Sequence, residues 1–536
     1  MTAEKKRGAA GASTFPSIIF EGYDTFSGRP RSTAVTGSTA STGSRVRTEF
    51  QVCETMARLE KHLDISVDAS ASFAFGSGDA KGRFIEQKEI NSTHIVISIY
   101  ASNTQSIAAT NVTFSNDVAP PATDAACKDF IRAYGDSYVS SLTRGGEYIA
   151  LYVFDTHSEE HRTKVLGEIK AKFKGLGGSY SADVQAEIND CCTSTSTSWR
   201  FEQILIGYQG IAPPRPNPKE QDQISNFLTD LFKAPANDPQ VTSFGTTGYE
   251  HVPKMPETQN WAQIRDNAEV FLPSLYDIAN PLRTALQQAE TISAVYRGYN
   301  YAGDRQLVDR KAQLRMDADA LKTLVRQVAG APWSSFVKPQ LVSMSWGVPE
   351  LSFKLSKPDE GYIGAPAQQG GLPAFNDVEA RDIYQGIRLN TVNLGTVVTG
   401  STPKARMVGK IECTYLYCST DRDPETMSHG DKNCTDVRKL TVGPHIPVAE
   451  ISGWMMVHPD QSSGVLSELG MKTSSGEEAR AGGKLPLPDQ FSRWKTWQSP
   501  AGSVVVGFHG CANDSAVAGV GPVVCTLGPA QWWQQD

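Results

Sequence analysis

Basic charge is the first thing this sequence has little of. Only 20% of its 536 residues are charged, and the formal net charge is −7. Such a chain has no positive field to hold nucleic acid and no polybasic patch for anionic lipid, so nucleic acid is not expected as a partner. Long apolar runs are also missing. No window approaches the roughly 18 to 20 apolar residues of a membrane-spanning helix, so the chain is expected to be made soluble. That leaves membrane-entering β-hairpins open, because their alternating signal is much weaker. Cysteine is sparse, with nine residues at positions 53, 127, 191, 192, 413, 418, 434, 511 and 525. An odd, thinly spread set does not hold a fold together, although Cys413, Cys418 and Cys434, and Cys511 with Cys525, are candidates for bridges in an oxidising setting. A zinc site is not supported, since no second close Cys or His pair completes Cys413-x4-Cys418. A secretory signal is missing too: Lys5, Lys6 and Arg7 are followed by Gly, Ala, Ser and Thr instead of an apolar stretch. Either the mature chain is given, or release takes another route.

Catalytic constellations are equally scarce. His157 and His161 enclose Glu159 and Glu160 in the order His-Ser-Glu-Glu-His, which is not the metalloprotease order His-Glu-x-x-His and reads as a solvated helix start. Gly175-Leu176-Gly177-Gly178 lacks the Lys-Ser/Thr of a phosphate loop. Asp421, Asp423, Glu425 and Asp431 carry the carboxylates a calcium ion needs, yet read better as a polar surface loop. No enzyme activity, metal or cofactor is expected.

What is present is organised along the chain. Its length calls for two or more domains. Residues 1–14, rich in small and polar residues, are expected to form a flexible arm. From Thr48 to about Leu63, the apolar positions Phe50, Cys53, Met56, Leu59 and Leu63 recur at helical spacing and predict an amphipathic helix. Ile65, Val67, Ala69, Ala71, Phe73 and Phe75 then alternate with Ser66, Asp68, Ser70 and Ser72. This run has about the 9 to 11 residues of a tilted membrane-spanning strand, and Ile95, Ile97, Ile99 and Ala101 supply a return strand. Taken without context, the pattern describes a half-buried strand of a soluble sheet. Val165, Ile169 and Phe173 open a second helical stretch, which becomes small and polar over Gly175–Ser181 and Cys192–Ser198, with little helix propensity and little apolar mass to bury. Helices are predicted over 221–232, 261–297 and 304–329. Near Ala331-Pro332-Trp333 the texture changes to short strands, glycines and prolines, which marks a boundary.

One stretch carries a specific spacing: Tyr134-Gly135-Asp136-Ser137-Tyr138, residues 139–144, then Gly145-Gly146 ahead of the strand-like Glu147–Phe154. A double glycine at the head of such a strand indicates a bend or a close approach. Upstream stands Ile18-Ile19-Phe20-Glu21-Gly22-Tyr23-Asp24. The first pattern resembles the signature of the membrane attack complex/perforin (MACPF) family, with Asp136 and Ser137 where that family more often has Thr or Ser and then His. The second resembles the family's opening strand and Gly-Tyr-Asp turn. The resemblance implies a MACPF pore-forming domain over 15–330, an α/β fold in which a bent, twisted antiparallel sheet is flanked by two helical clusters. It also implies that those clusters, about 48–92 and 158–198, unfurl into membrane hairpins, so that Ile65, Val67, Ala69, Ala71, Phe73 and Phe75 would face lipid. One hairpin cannot close a barrel, so a ring-shaped homo-oligomer comes with the prediction.

The tail, 335–536, shows three weakly similar strand–excursion–strand units: Gly409–Tyr417 with Val437–Gly443, Glu450–Val457 with Leu466–Gly470, and Ser503–Gly510 with Val517–Gly521. Three hairpins suit an all-β, three-faced prism, and Val506-Gly507-Phe508-His509-Gly510 is similar to a strand of jacalin-like prisms. Trp454, His509, Asp514, Trp532 and Trp533 are its candidate receptor-binding residues, although packing also accounts for the tryptophans. The expectation is a soluble, released toxin resembling bacterial MACPF proteins with a C-terminal prism, insecticidal ones among them. It would bind a protein or glycan receptor on a target-cell membrane and form pores. The alternative is a non-lytic lectin-like or adhesion protein on a MACPF scaffold.

Overall fold

The computed structural model describes residues 18–63, 65, 80–88, 90, 94–156, 159–174, 178–195, 197, 199–216, 223–233, 235–301, 303–364, 372–399, 405–418, 424–431, 433–434, 436–457, 464–485 and 492–533. It divides into two compact units: Met1–Leu286 with Ala312–Gly347, and Gln287–Lys311 with Val348–Trp533.

The first unit is built on an antiparallel sheet of eight strands. They are β1 Gly22–Asp24, β2 Arg29–Arg31, β3 Val35–Ser41, β4 Arg45–Cys53, β5 His94–Phe114, β6 Ser137–Asp155, β7 Trp199–Ile206 and β8 Gln240–Gly248. The long strands β5 and β6 pair along most of their length, from His94 opposite Asp155 to Ala108 opposite Ser141. Around them lie α1 Met56–His62, α2 Ala80–Gln87, α3 Asp124–Tyr134, α4 Glu159–Lys172, α5 Ala182–Ser194, α6 Gln223–Leu231 and α7 Gln259–Asp266. Two long helices, α8 Leu272–Gly298 and α9 Arg305–Gly330, follow.

Several expectations change here. The helix predicted from Thr48 does not start there: Arg45–Cys53 is strand β4, and α1 begins only at Met56, capped by Thr55, whose hydroxyl accepts from Arg58 N. Thr48, Phe50 and Val52 alternate with Arg47, Glu49 and Gln51, and this period-two signal prevails because β5 offers a partner edge. Ile95, Ile97, Ile99 and Ala101 are not the return strand of a separate hairpin. They lie in β5, fully buried between β4 and β6. Gly145 and Gly146 sit inside β6 and not at its head. Between the two small-residue stretches stands an unexpected helix, α5, capped by Ser181 and burying Val184, Ile188 and Cys191.

In the second unit, residues 348–533 are almost all β, arranged in three antiparallel sheets and a short two-stranded ribbon. One sheet is β19 Glu478–Gly482, β18 Gly464–Thr473, β17 Val448–Val457 and β20 Ser492–Gln498, in that order. Another is β15 Glu425–Gly430, β14 Ala405–Leu416, β13 Arg388–Thr399 and β16 Asp436–Thr441. The third centres on β21 Ser503–Ala512 and β22 Val517–Leu527, flanked by β10 Phe353–Ser356, β11 Ile363–Gly364 and β12 Ala374–Asn376. The ribbon pairs β9 Val348–Glu350 with β23 Gln531–Trp533. Strands β14, β18 and β22, one from each sheet, touch one another around a shared core. Two predicted units are true hairpins, β17–β18 and β21–β22. In the other, β14 and β16 do not pair with each other. Both flank β13, whose pattern the sequence reading missed.

All nine cysteines are free thiols. Cys511 lies opposite Gly519 and Cys525 opposite Val504, so they are separated by about 23 Å along the hairpin, far beyond bridging reach.

Candidate functional site

The two sequence motifs of the first unit meet in space. Strand β1, which is Gly22-Tyr23-Asp24, pairs with the start of β6, Gly22 opposite Tyr138 and Tyr23 opposite Ser137. Gly135 is required there, since its φ is +81° and a Cβ would lie 2.1 Å from the Tyr23 carbonyl oxygen. Asp136 accepts from the Thr25 amide at 2.8 Å, and Ser137 Oγ donates to the Tyr23 carbonyl at 3.2 Å. Asp24 accepts from the Phe26 and Ser27 amides on one oxygen and from Arg31 at 2.6 Å on the other. Tyr138 packs on Tyr249, and Tyr134 on Phe130. Asp136, Ser137 and Tyr138 are all buried. Burial, with the Asp24 charge second, pushes the Asp136 carboxyl up to about 7. This part of the signature is therefore an anchor for the head of β6 and not a solvent-facing site.

Gly145 and Gly146 mark a change of partners on both outer edges of the central pair. Strand β7 pairs with β6 from Phe154 down to Glu147, and β8 takes over from Gly145 to Ser137. On the far edge, β4 pairs with β5 from Val96 to Thr104, and β3 takes over at Ile107. Asn103 faces Gly146 and Thr104 faces Gly145, so both switches fall at one level. A Cβ on Gly145, whose φ is +153°, would lie 2.2 Å from the Asn103 carbonyl oxygen, and one on Gly146 would lie 2.0 Å from the Tyr208 ring. The backbone is approached from both sides here: at Gly145 the neighbour is backbone and no other residue type fits, while at Gly146 a side chain would have to displace the Tyr208 ring.

Beyond that level the sheet is covered on both faces. Ile97, Ile99, Tyr148, Ala150, Tyr152 and Phe154 pack against α4, α5 and α6. Val96, Tyr100, Ile149, Leu151 and Val153 pack on the opposite face against Met56, Leu59 and Leu63 of the first cluster and Phe84 and Ile85 of α2. The connection from β4 to β5 carries the first cluster, and that from β6 to β7 carries the second. A buried ion pair fixes the first to the sheet: Lys81 Nζ lies 3.4 Å from Glu147 Oε2, both essentially inaccessible, while Tyr100 donates to Glu147 Oε1 at 2.7 Å. Burial pushes the Glu147 carboxyl up against the pull of Lys81. No sequence signal pointed to this pair, because a buried lysine looks like an exposed one in a sequence.

Of the hairpin candidates, Ile65 is half-buried beside the first cluster. Val67, Ala69, Ala71, Phe73 and Phe75 lie outside the described residues, as do His157, Asp421 and Asp423. His161 is half-buried and hydrogen-bonds Thr197 Oγ1 at 2.9 Å, so it is more than a solvated helix start. No described helix is long and apolar enough to cross a membrane, and the described residues contain no cluster of metal-ligating side chains.

The receptor candidates do not converge. Trp454 is on β17, with its indole against Trp494 of β20 at 5.4 Å. His509, on β21, packs against Tyr362, and burial lowers its imidazole to about 4. Asp514 is exposed in the turn that Asn513 Oδ1 holds through the Ser515 and Ala516 amides. Trp532 lies under Arg310, whose Cζ is 4.7 Å from the ring centroid, and Trp533 pairs through its backbone with Val348. Trp494, which the sequence reading passed over, is exposed at 41%. Its alternation with the buried Trp497 on one strand was the available signal.

No protein-family profile and no curated protein matches the chain. Among solved structures it is similar to artocarpin in complex with mannotriose, at 17% identity over 31% of this chain and 94% of that one, with a TM-score of 0.22. It is likewise similar to Calystegia sepium agglutinin, at 17% identity over 30% of this chain and 94% of that one, with a TM-score of 0.21. Malaysian banana lectin gives 15% identity over 32% of this chain and 96% of that one, with a TM-score of 0.22.

Proposed function

We propose that this protein is a non-enzymatic, MACPF-like pore former whose β-rich second unit, prism-like in its three sheets, attaches it to a target membrane through a protein or glycan receptor. The observation that carries the reading is the order β4-β5-β6-β7. Each helical cluster connects two adjacent antiparallel strands of this set, and both leave the sheet at the same end, where Cys53 faces Val96, His94 faces Asp155 and Phe154 faces Trp199. Straightening of both clusters would lengthen four neighbouring strands in register. The result would be two hairpins per copy with every backbone edge paired inside the ribbon, and a ring of copies would pair the outer edges. About 9 to 11 residues per strand cross a bilayer, and residues 54–93 and 156–198 supply more than that. Apolar burial in lipid and new strand pairing would offset the helix packing that is given up.

Dye release from receptor-bearing liposomes or target cells, with electron micrographs of the treated membranes, tests this reading. Leakage and rings are expected, and a disulfide engineered between α2 and the sheet should abolish leakage while leaving attachment intact. Attachment without leakage, unchanged by that lock, would support the non-lytic adhesion alternative and sink the pore.

A further inference from the structure

Resting on the reading that the two helical clusters are the parts that unfurl, we propose that mild acid loosens both of them, with His62 in the first and His161 in the second taking up the proton. His62 is the last residue of α1 and is 5% exposed. Its ring lies edge-on to that of Tyr100 in β5, with centroids 6.1 Å apart at 72°. Among the described residues, its buried Nε2 has no hydrogen-bond partner. The same tyrosine ring already faces two cations, Arg47 with its Cζ at 5.2 Å and Lys81 with its Nζ at 5.8 Å. Each of these has its own carboxylate: Glu49 lies 2.7 Å from Arg47 Nε, and Glu147 lies 3.4 Å from Lys81 Nζ. On the histidine's own helix, Arg58 and Lys61 are exposed and Glu60 is buried. A proton on His62 would therefore add a third positive charge around one ring, where both facing carboxylates are already matched. A buried charge left over in this way is strongly disfavoured.

The sign follows from where the proton is held more tightly. Burial lowers the His62 imidazole from 6.5 to about 4; Glu49 and the Ser98 backbone pull it up, and Arg47 pushes it down. A released α1 would hold the same ring in water at its ordinary value. The docked cluster thus binds the proton more weakly than the released one. Its hold is complete above about pH 6.5 and is lost as pH falls towards about 4. His161 repeats the arrangement in the second cluster, half-buried on α4 and 2.9 Å from Thr197 Oγ1. Burial, with Lys164 second, lowers its imidazole against the pull of Glu168. Glu147 works in the opposite sense. Burial raises its carboxyl, so the docked first cluster holds that proton more tightly and regains some grip in acid. Lys81 and Tyr100 restrain this shift, so Glu147 gives back less than His62 gives up. Asp136 is shifted in the same direction as Glu147 but sits in the lower anchor, so falling pH firms the anchor while it loosens the clusters.

The test is hydrogen exchange of the full chain without membranes, at about pH 7.5 and about pH 5, corrected for the intrinsic exchange rate. Protection of α1 and α4 should fall at the lower pH, while that of Ser137–Thr143 in the lower half should hold. For α1 the fall should be about 30-fold larger in the parent than in His62→Gln. That ratio cancels Glu147 and any loss of stability that does not depend on pH. His161→Gln, at a half-buried position where the variant should fold like the parent, should reduce the fall in α4 and leave that in α1. Leakage from receptor-bearing liposomes should be faster at the lower pH, and the double variant should lose this dependence. Protection of both helices that stays level or rises in acid would overturn the proposal, as would a fall in α1 undiminished in a folded His62→Gln. Clusters that loosen in acid without leakage at either pH would support the proposal and count against the pore. Equal leakage at both pH values from clusters that do not loosen would leave the pore standing and remove the acid switch.

Discussion

The two halves of the central sheet share the strands β5 and β6 yet are built to opposite rules. Above Gly145, residues 95–102 and 147–154 are buried without interruption, with one helical cluster on each face. Below it, the paired stretch 104–114 is half-buried or exposed, and its edge strand β3 is exposed from Thr36 to Ser41. A sheet that needed only to be stable would not need both regimes in one strand. The upper half keeps its apolar faces under covers that connect neighbouring strands. The lower half is anchored by the Asp24–Asp136 junction and is packed against α3, which joins β5 to β6 and sets Phe130 and Ile131 in one cluster with Val112, Phe114 and Tyr138. On the proposed reading the upper half is the part that moves and the lower half the part that stays, with the two glycines between them.

The largest effect should come from filling the boundary itself. Gly145→Val combines a strained positive φ with a backbone clash, and should cost about 5 kcal/mol in urea denaturation. That is as much as the least stable domains have in total, so this variant should unfold at much lower urea than the parent and not merely fail to open. Gly146→Ala meets only a side chain, and Tyr208→Ala should restore much of its stability. If Gly145→Val folds at near-parental stability, the boundary is not constrained as described.

Next comes the pair that ties the first cluster to the upper half. Lys81→Met leaves Glu147 buried without its cation and should cost about 4 kcal/mol, while the double variant Lys81→Met/Glu147→Gln should recover most of it. A double variant as unstable as the single one would show that Lys81 matters for packing and not as a charge.

The contrast between the halves can be measured directly. Ile97→Ala, fully buried above the boundary, should cost about 3 kcal/mol, and Ile107→Ala, below it, under about 1 kcal/mol. Equal losses would remove the distinction on which the comparison rests.

Much of this was legible in the chain, though unevenly. The Gly-Tyr-Asp turn and the Tyr134–Gly146 spacing were visible as separate stretches. That they touch depends on a strand pairing about 115 residues apart, which no local periodicity reports. Alternation over 95–101 correctly indicated strand, but both faces turned out buried, and only the placement of two helical clusters reveals that. At 48–53 helical spacing and strand alternation overlap, and the availability of the β5 edge decided between them. Helix α5 was missed because the serines and threonines around it drew attention away from Val184, Ile188 and Cys191. In the second unit, hairpins with short connections were readable, whereas β13, paired on both sides by non-repeating partners, was not.

The smallest expected effect tests whether the lower anchor is as fixed as the comparison requires. Asp136 is buried, accepts the Thr25 amide, and lies near Asp24, whose carboxylate holds Arg31; Tyr249 stands close by. Burial first and Asp24 second raise its carboxyl from 3.8 to about 7. The native state therefore binds the proton more tightly than the unfolded chain does. The stabilisation is complete below about pH 4 and is lost as pH rises through about 7. Between pH 5.5 and 8.5 the junction should lose about 2 kcal/mol, and Asp136→Asn, which keeps the acceptor without the titration, should flatten that slope. A parental slope in the Asn variant would mean that Asp136 is not the titrating group, and the anchor would then owe its hold to the Gly22–Tyr138 pairing alone.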